Sequence, residues 1–247
     1  MYNGFARIYD ELMEDAPYEK WGAYIDNVLK QRFSESKNPL VLDLACGTGA
    51  MTLLLAKKGY DMIGVDVSID MLATAQQKSY EEKQNILFLA QDMRELDLFG
   101  TIDAAVCVCD GLNYILEEDD LFAIFKRVRL FLNPGGVFIL DMNTEYKFKE
   151  LLGNRSFEGK SKTGAAYSLD NNYDENTMIN EYRVLFHAHE KDDSFTEVHK
   201  QRAYKTEKIV KFLLEAGFCD VLVTHEYTNE PPKVDSERVS FVAMVRK

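Results

Sequence analysis

The stretch that decides the fold spans residues 39–66 and reads PLVLDLACGTGAMTLLLAKKGYDMIGVD. An apolar strand, Leu40 to Leu44, runs into a turn of small residues, Ala45 to Gly49. A helical segment, 50–58, and a second apolar strand that ends at Asp66 follow. A glycine turn between a strand and a helix lets the backbone approach a small molecule closely. The stretch therefore predicts a nucleoside-cofactor site.

Strands and helices alternate along most of the remaining chain. The further strands are predicted over residues 85–90, 102–109, 137–141, 221–225 and 239–245. Repeated units of this kind imply strands in parallel with helices on both faces of the sheet. The predicted fold class is therefore α/β, with a Rossmann-like, doubly wound and mostly parallel seven-stranded sheet.

Three local signals set boundaries in this pattern. Ser68 and Thr206 are good N-caps for the helices that follow them. Asn133-Pro134-Gly135-Gly136 is expected to turn the chain into the strand at 137–141.

Two segments depart from the alternation. Residues 1–35 carry two amphipathic helices, which we interpret as an N-terminal helical lid. Residues 156–204 have the period of two that is typical of antiparallel strands, predicted at 165–173, 178–189 and 195–204. We expect one domain over 1–155 and 205–247, with the insertion as a substrate cap or a homo-oligomer contact.

Composition excludes several classes of function. The net charge of -12 argues against a nucleic-acid partner, because Lys and Arg supply much of such affinity. No apolar run approaches the length of a membrane span, and no signal peptide opens the chain, so we expect a cytoplasmic protein without a membrane partner. The cysteines lack the spacing of a zinc site or a disulfide scaffold.

Histidines in the insertion raise the possibility of a metal site. His187 and His189 share one face of a strand, and His199 follows on the next strand. In a hairpin with a four-residue turn, Val198 shares the His187 face and His199 points away. We therefore predict no metal.

The glycine turn is compatible with two kinds of cofactor. A dinucleotide fingerprint needs a third glycine, and Thr52 stands at that position. Asp66, at the end of the second strand, is placed to accept hydrogen bonds from a ribose diol in either case. An NAD(P)-dependent oxidoreductase stays open as the alternative.

At this point the sequence resembles a known family, the class I S-adenosylmethionine-dependent methyltransferases. The resemblance rests on four segments in the family's order: Asp43 to Gly49; Val65-Asp66 with Ser68 and Met71-Leu72; Gln91-Asp92-Met93; and Asn133 to Gly136. It is close over residues 39 to 145. It implies S-adenosylmethionine as the cofactor and an enzyme of class EC 2.1.1.-.

The resemblance also implies roles for single residues. Asp43 would hold the methionine ammonium group, Asp66 the ribose and Asp92 the adenine amino group. The remaining cofactor-binding residues it implies are Ala45, Cys46, Gly47, Gly49, Val67, Met71, Met93, Cys109 and Asp110. Tyr9 is interpreted either as part of the cofactor and substrate lid or as a helix-packing residue.

Two features resemble the small-molecule N-methyltransferases that act on glycine or amino-sugars. They are Tyr9-Asp10 with Tyr18 and Trp21, and the insertion after the fifth strand. An arginine follows that strand in glycine methyltransferases, whereas this chain has Asp141-Met142-Asn143-Thr144, which argues against glycine. We expect a small-molecule acceptor, at nitrogen rather than oxygen, with an RNA or protein acceptor as the alternative.

A sulfonium methyl group is already electrophilic, so the enzyme's main task is in-line placement of the nucleophile with water excluded. A hydroxyl nucleophile would need a general base, for which Tyr9, Asp110 and Tyr114 are the candidates by position. No residue of the sequence is identified as the catalytic base.

Overall fold

The computed structural model describes residues 5–35, 38–160, 164, 166–187 and 194–247. Two helices, α1 (Phe5–Leu12) and α2 (Tyr18–Arg32), precede the first strand. The alternating part then follows in the order β1 (Leu40–Leu44), α3 (Ala50–Lys57), β2 (Asp61–Asp66), α4 (Ile69–Glu81), β3 (Leu87–Ala90), β4 (Ile102–Cys107), α5 (Glu118–Phe131) and β5 (Leu132–Asn143). The chain ends with α6 (Thr206–Glu215), β10 (Asp220–His225) and β11 (Arg238–Met244).

The main sheet has seven strands in the order β10-β11-β5-β4-β1-β2-β3. The pairs among β1 to β5 are parallel, and β11 runs antiparallel to both β5 and β10. The predicted fold class is confirmed. From β1 the chain moves outward to β2 and β3, and it then returns to add β4 on the other side of β1. Such a reversal opens a crevice at the carboxyl ends of β1 and β4.

Both faces of the central strands are buried against helices. Leu42 and Phe138 belong to a core on the side of α5 and α6, whereas Val41 and Ile139 belong to a core on the side of α2 and α3. A strand buried on two faces explains why β1, β4 and β5 are apolar without alternation. Among the described residues, no helix combines the length and the apolar character needed to cross a membrane.

The predicted helix caps had different outcomes. Ser68 caps α4 as predicted, since its side chain accepts a hydrogen bond from the Met71 amide at 3.3 Å. The prediction for Thr206 was wrong: Thr206 is the first residue of α6, Lys205 is the N-cap, and no side chain caps that helix end.

The turn into β5 also differs from the prediction. β5 begins at Leu132, because Leu132 pairs with Ile102 and Val137 pairs with Ala104. Residues 133–136 thus form an irregular part of the strand, where Gly135 takes a φ of +80°. The Gly135 amide donates to the carbonyl of Arg246, so the segment stays hydrogen-bonded at the amino end of β5.

Residues 156–202 contain a second, four-stranded antiparallel sheet. Its strands are β6 (Ser156–Lys160), β7 (Ala166–Asp174), β8 (Ile179–His187) and β9 (Phe195–Arg202), in that order. The prediction missed β6, a largely exposed strand without apolar alternation. Residues 165, 188–189 and 191–193, which were predicted as strand ends and a turn, lie outside the described residues. We call this sheet the cap.

The cap is joined to the carboxyl end of the main sheet by polar contacts. The Gln201 side chain donates to Asp110 at 2.6 Å, and the Asn113 side chain donates to the Arg202 carbonyl at 2.8 Å. α1 lies between the cap and α4, where Ala6 shares an apolar cluster with Met71 and Val184. The cap and α1 therefore both border the crevice.

Candidate active site

A cavity of about 600 Å³ occupies the crevice at the carboxyl ends of the strands. Its walls contain most of the residues that the sequence singled out for the cofactor: Tyr9, Asp43, Ala45, Cys46, Gly47, Asp66, Val67, Met71, Asp92, Met93 and Cys109. Tyr114 also lines it, whereas Gly49 and Asp110 do not. A volume of this size is within the usual range for a small-molecule site.

The glycine turn forms the floor of this cavity with left-handed backbone. Gly47 has a φ of +54°, and a Cβ built on it would meet no atom within 4 Å. Gly49 has a φ of +78°, and its Cβ would lie 2.9 Å from that of Ala75 on α4. Gly47 thus leaves open space beside a ligand, whereas Gly49 allows α3 and α4 to pack closely.

Asp66 holds the same turn in place. Its Oδ2 accepts from the Gly47 amide at 2.8 Å, and its Oδ1 accepts from the Ser68 amide at 2.9 Å. Burial raises its pKa, although the backbone hydrogen bonds oppose this shift. Each carboxylate oxygen keeps a further lone pair, so Asp66 could also accept from two ligand hydroxyls.

Asp43 is the buried acid of the site. It is 1% exposed, and its Oδ2 accepts from the Thr52 hydroxyl at 2.5 Å. Its Oδ1 is buried without a hydrogen-bond partner in the described part of the chain. Burial raises the pKa of Asp43 to about 7, and the nearby Asp66 adds to this. A cationic group placed beside Oδ1 would satisfy that oxygen, so the site fits the ammonium end of S-adenosylmethionine.

Asp92 lies at the other end of the cavity. It caps a short 3₁₀ helix, Met93–Glu95, by accepting from the Arg94 amide at 2.9 Å. The Arg94 Nε also lies 3.0 Å from both carboxylate oxygens, which lowers the pKa of Asp92. Asp92 is therefore both a helix start and a cavity residue, with Arg94 as its present partner.

The loop after β4 is held by a network that sequence reasoning missed. Cys109 and Asp110 both have left-handed backbone, with φ of 60° and 55°. Their amides donate to the carboxylate of Asp141 at 2.8 and 2.7 Å. Asp141 is 0% exposed and also accepts from the Tyr227 hydroxyl and pairs with Arg238. Only the acidic residue at the end of the fifth strand could have signalled this arrangement.

Asp110 is occupied by the same network. One of its oxygens pairs with Arg238 at 2.6 Å and the other accepts from Gln201 at 2.6 Å. Both carboxylate oxygens thus have strong donors, and the residue does not line the cavity. These two donors argue against Asp110 as the general base, a role that stays a prediction.

Tyrosines surround the cavity near Cys109. The hydroxyl of Tyr9 lies 4.0 Å from the Cys109 sulfur, and that of Tyr18 lies 3.8 Å from it. The Tyr114 hydroxyl lies 2.5 Å from that of Tyr182 on the cap. Burial raises the pKa of Tyr9, Tyr18 and Tyr114, so these three hydroxyls are neutral at physiological pH.

His199 is a cavity residue that the sequence raised only as a candidate metal ligand. β9 places it opposite Tyr182, whereas Val198 lies opposite Arg183 on the other face of the cap. The prediction compared these two residues with His187 across a four-residue turn, and residues 191–193 of that turn lie outside the described residues. Within the described residues, no three or more His, Cys, Asp or Glu side chains are arranged to hold a metal ion. His189 and the side chain of His187 lie outside that part.

A parallel sheet with a glycine turn after β1, an acid after β2 and a crevice between β1 and β4 defines a nucleoside-cofactor enzyme. The sequence profile of a methyltransferase domain matches residues 41–136, the part that carries these features. The chain belongs to the S-adenosylmethionine-dependent methyltransferases. The S-adenosylmethionine interpretation of the glycine turn is therefore confirmed over the dinucleotide one.

Particular relatives extend this similarity over the whole chain. YqeM of Bacillus subtilis (strain 168), whose name assigns it to the methyltransferases without an acceptor, is 36% identical over 100% of this chain and 98% of its own. The crystal structure of an S-adenosylmethionine-dependent methyltransferase from Clostridium acetobutylicum ATCC 824 is 32% identical, with a TM-score of 0.89 over 100% of this chain and 99% of that one. A glycine/sarcosine N-methyltransferase of Aphanothece halophytica is 25% identical over 88% of this chain and 79% of its own.

Proposed function

We propose that this protein transfers the methyl group of S-adenosylmethionine to a nitrogen atom of a small-molecule amine. When bound, the cofactor supplies a methyl group on a positively charged sulfur. The observation that carries the choice of nitrogen is the chemistry of the cavity near Cys109, where the hydroxyls are neutral and Asp110 is already paired. The relatedness to a glycine/sarcosine N-methyltransferase supports the same choice.

The cofactor end of the cavity would use the three acids in distinct ways. Asp43 would pair with the ammonium group through its unpartnered Oδ1, and Asp66 would accept from the ribose hydroxyls. Asp92 would accept from the adenine amino group beside its existing contact with Arg94. The backbone of Gly47 would lie against the cofactor, because no atom of the described residues lies within 4 Å of a Cβ built there.

Nitrogen is favoured over oxygen because the candidate bases are poor ones. An alcohol must lose its proton during attack, and a nearby base is needed for that step. Tyr9 and Tyr114 are neutral acids whose pKa is raised by burial, and Asp110 is held by Arg238 and Gln201. A neutral amine already carries a lone pair, so orientation at the methyl group is sufficient.

The acceptor is proposed to lack a carboxylate or phosphate. Among the described residues that line the cavity, Arg94 is the one Lys or Arg, and it pairs with Asp92. Arg238 lies close by but is buried against Asp110 and Asp141. An acidic acceptor such as glycine would therefore find no cationic partner in this part of the chain. Neutral or cationic amines suit the tyrosine walls better.

We propose that α1 is a lid over the cofactor and that the cap closes the acceptor side. Asp10 on α1 accepts from the Thr48 hydroxyl at 2.6 Å and pairs with Lys78 on α4, so α1 is fastened over the glycine turn. On the other side, Gln201 and His199 bring β9 to the cavity. Closure of this kind would exclude water from the reacting sulfonium group. These contacts support a role of the insertion as a substrate cap more than a role as a contact between copies of the chain.

Incubation with deuteromethyl-labelled S-adenosylmethionine and a matched acceptor panel tests this function. The panel pairs primary and secondary amines with the corresponding alcohols and phenols, and it includes glycine and sarcosine. We expect labelled N-methyl products from amines that lack a carboxylate or phosphate, read by mass spectrometry, and at most trace product from the alcohols, phenols and amino acids. Labelled ethers alone, or glycine methylated as fast as the best amine, would contradict the proposal.

A further inference from the structure

His199 occupies an unusual place for a histidine of a hairpin strand. It is 6% exposed yet lines the cavity. Its ring stacks on that of Tyr182 at 4.9 Å and 16°, and it meets the ring of Tyr114 edge-on at 5.9 Å. The two tyrosine hydroxyls are hydrogen-bonded to each other at 2.5 Å, which fixes both rings. The imidazole is therefore held rigidly in the cavity wall.

The strand register places this imidazole near the reacting end of the cavity. Gln201 lies two residues further along β9, on the same face, about 7 Å away along a strand. Gln201 donates to Asp110 at 2.6 Å, and the preceding residue, Cys109, lines the cavity beside Tyr9 and Tyr18. His199 thus lies two residues along β9 from Gln201, which contacts the loop after β4 beside the tyrosine hydroxyls of the cavity.

The surroundings keep the imidazole neutral. Burial lowers the pKa of His199, and the titratable groups facing it are Tyr114 from the 3₁₀ turn 111–114, Tyr182 from β8 and Glu197 from its own strand. Tyr114 is itself neutral because burial raises its pKa. A neutral imidazole presents one nitrogen that accepts hydrogen bonds and one that donates.

We propose that His199 is an acceptor-binding residue, whose imidazole accepts a hydrogen bond from an N–H of the acceptor amine and aims the nitrogen lone pair at the methyl group. This inference rests on the proposed function and narrows the acceptor to a primary or secondary amine. The C–N bond forms as the C–S bond breaks, so the positive charge passes from sulfur to nitrogen. The proton in the hydrogen bond stays on nitrogen during transfer and leaves to water afterwards.

Binding of sinefungin tests this role without knowledge of the acceptor. Sinefungin carries an amine in place of the transferred methyl group, so its N–H groups point to the acceptor side, whereas S-adenosylhomocysteine has none there. In the unaltered protein at pH 7.5 we expect sinefungin to bind more tightly than S-adenosylhomocysteine by calorimetry. His199→Phe keeps the ring stacking but should weaken the affinity for sinefungin by about tenfold or more. Its affinity for S-adenosylhomocysteine should stay within about twofold of that of the unaltered protein.

The pH dependence and a matched control sharpen the test. The sinefungin preference should fall toward acid pH in the unaltered protein, as His199 becomes cationic, and it should be flat in His199→Phe and in His199→Gln. His225→Gln is the control, since His225 bonds Ser236 at the end of the edge strand β10 and is not part of the cavity wall. If His199→Phe does not fold, His199→Leu takes its place, because the amide oxygen in His199→Gln could still accept the hydrogen bond.

The possible outcomes distinguish a failure of this inference from a failure of the proposed function on which it rests. An unchanged sinefungin preference in both His199 variants, or an equal loss in His225→Gln, overturns the role of His199. Failure of S-adenosylhomocysteine to bind the unaltered protein overturns both proposals. A lost preference in the His199 variants supports the inference, and if the amine panel then yields only ethers, the proposed function fails on its own.

Discussion

The carboxylate of Asp141 on β5 and the guanidinium of Arg238 on β11 form a buried ion pair that also fixes the loop at one end of the cavity. Asp141 accepts from the Cys109 and Asp110 amides, and Arg238 pairs with the Asp110 side chain. The guanidinium lies 5.1 Å from the Trp21 ring of α2. This buried pair thus links the antiparallel strands β5 and β11, the helix α2, and the two residues with left-handed backbone, Cys109 and Asp110.

Loss of one partner of this pair should be costly. Arg238→Met leaves Asp141 and Asp110 buried without their cation, so we expect the free energy of unfolding to fall by about 3–5 kcal/mol in urea titrations. Lys211→Met is the control, because Lys211 forms an exposed pair with Glu215 at 3.7 Å, worth about 0.5 kcal/mol or less. Equal effects of the two substitutions on the free energy of unfolding would show that the buried pair contributes no more to stability than the exposed one.

The parallel sheet and the cofactor site could be predicted because their signals are local. Asp43, Gly47 and Asp66 lie within one short strand-turn-helix-strand unit, and the apolar runs of β1 and β4 follow from burial on both faces. The partners of Asp141 could not be predicted, since Arg238 is 97 residues away in sequence and its role depends on β11 lying beside β5.

The position of His199 in the cavity wall and the strand β6 were not predicted, for a related reason. His199 alternates with Val198 as any strand residue would, and only the placement of the cap over the crevice turns it into a cavity residue. β6 has the sequence SFEGK, which lacks apolar alternation because it lies at an edge and is largely exposed. The catalytic role of Tyr9 stays a prediction, as do the ligand roles of the other cavity residues.

Asp43 should make stability depend on pH. Its pKa is about 7 in the folded chain, against about 3.9 in an unfolded one. The folded chain holds this proton more tightly, so the contribution of this group to stability is full below about pH 3.9, is lost as the pH rises to about 7, and stays lost above that value. Asp43→Asn keeps an oxygen for Thr52 and should raise the free energy of unfolding by more at pH 8 than at pH 5. Parallel stability curves of the two proteins between these values would contradict the assignment.

The same carboxyl should govern cofactor binding. The ammonium group of S-adenosylhomocysteine needs an ionised Asp43, so we expect its Kd to rise by up to about tenfold per pH unit below pH 7. In Asp43→Asn the Kd should be higher at pH 8 and nearly independent of pH. Calorimetric titration between pH 5.5 and 8.5 measures both, and a flat curve for the unaltered protein would count against the contact.

Substitutions of Asp92 and Arg94 test the proposed contact with the adenine of the cofactor. Asp92→Ala should weaken the affinity for S-adenosylhomocysteine by about tenfold, which is the effect of a lost hydrogen bond to a charged group. Arg94→Met releases the Asp92 carboxylate from its side-chain partner and should leave the affinity unchanged or tighter. If Arg94→Met weakens binding as much as Asp92→Ala, the two residues act as one structural unit and Asp92 has no separate contact with adenine.

The most direct test of the cofactor site compares two glycines with left-handed backbone. Gly47 lines the cavity with open space where a Cβ would stand, whereas Gly217, with a φ of +102°, ends α6 outside it. Alanine at either position strains the backbone by about 1–2 kcal/mol, so their effects on stability should be similar. Only the methyl group added by Gly47→Ala would enter space that the cofactor needs.

The decisive measurement is calorimetric titration of S-adenosylhomocysteine into the unaltered protein, Gly47→Ala and Gly217→Ala at pH 8. We expect one molecule bound per chain, an affinity at least about tenfold weaker in Gly47→Ala, and an unchanged affinity in Gly217→Ala. Equal affinities in all three proteins would contradict the placement of S-adenosylmethionine in this cavity.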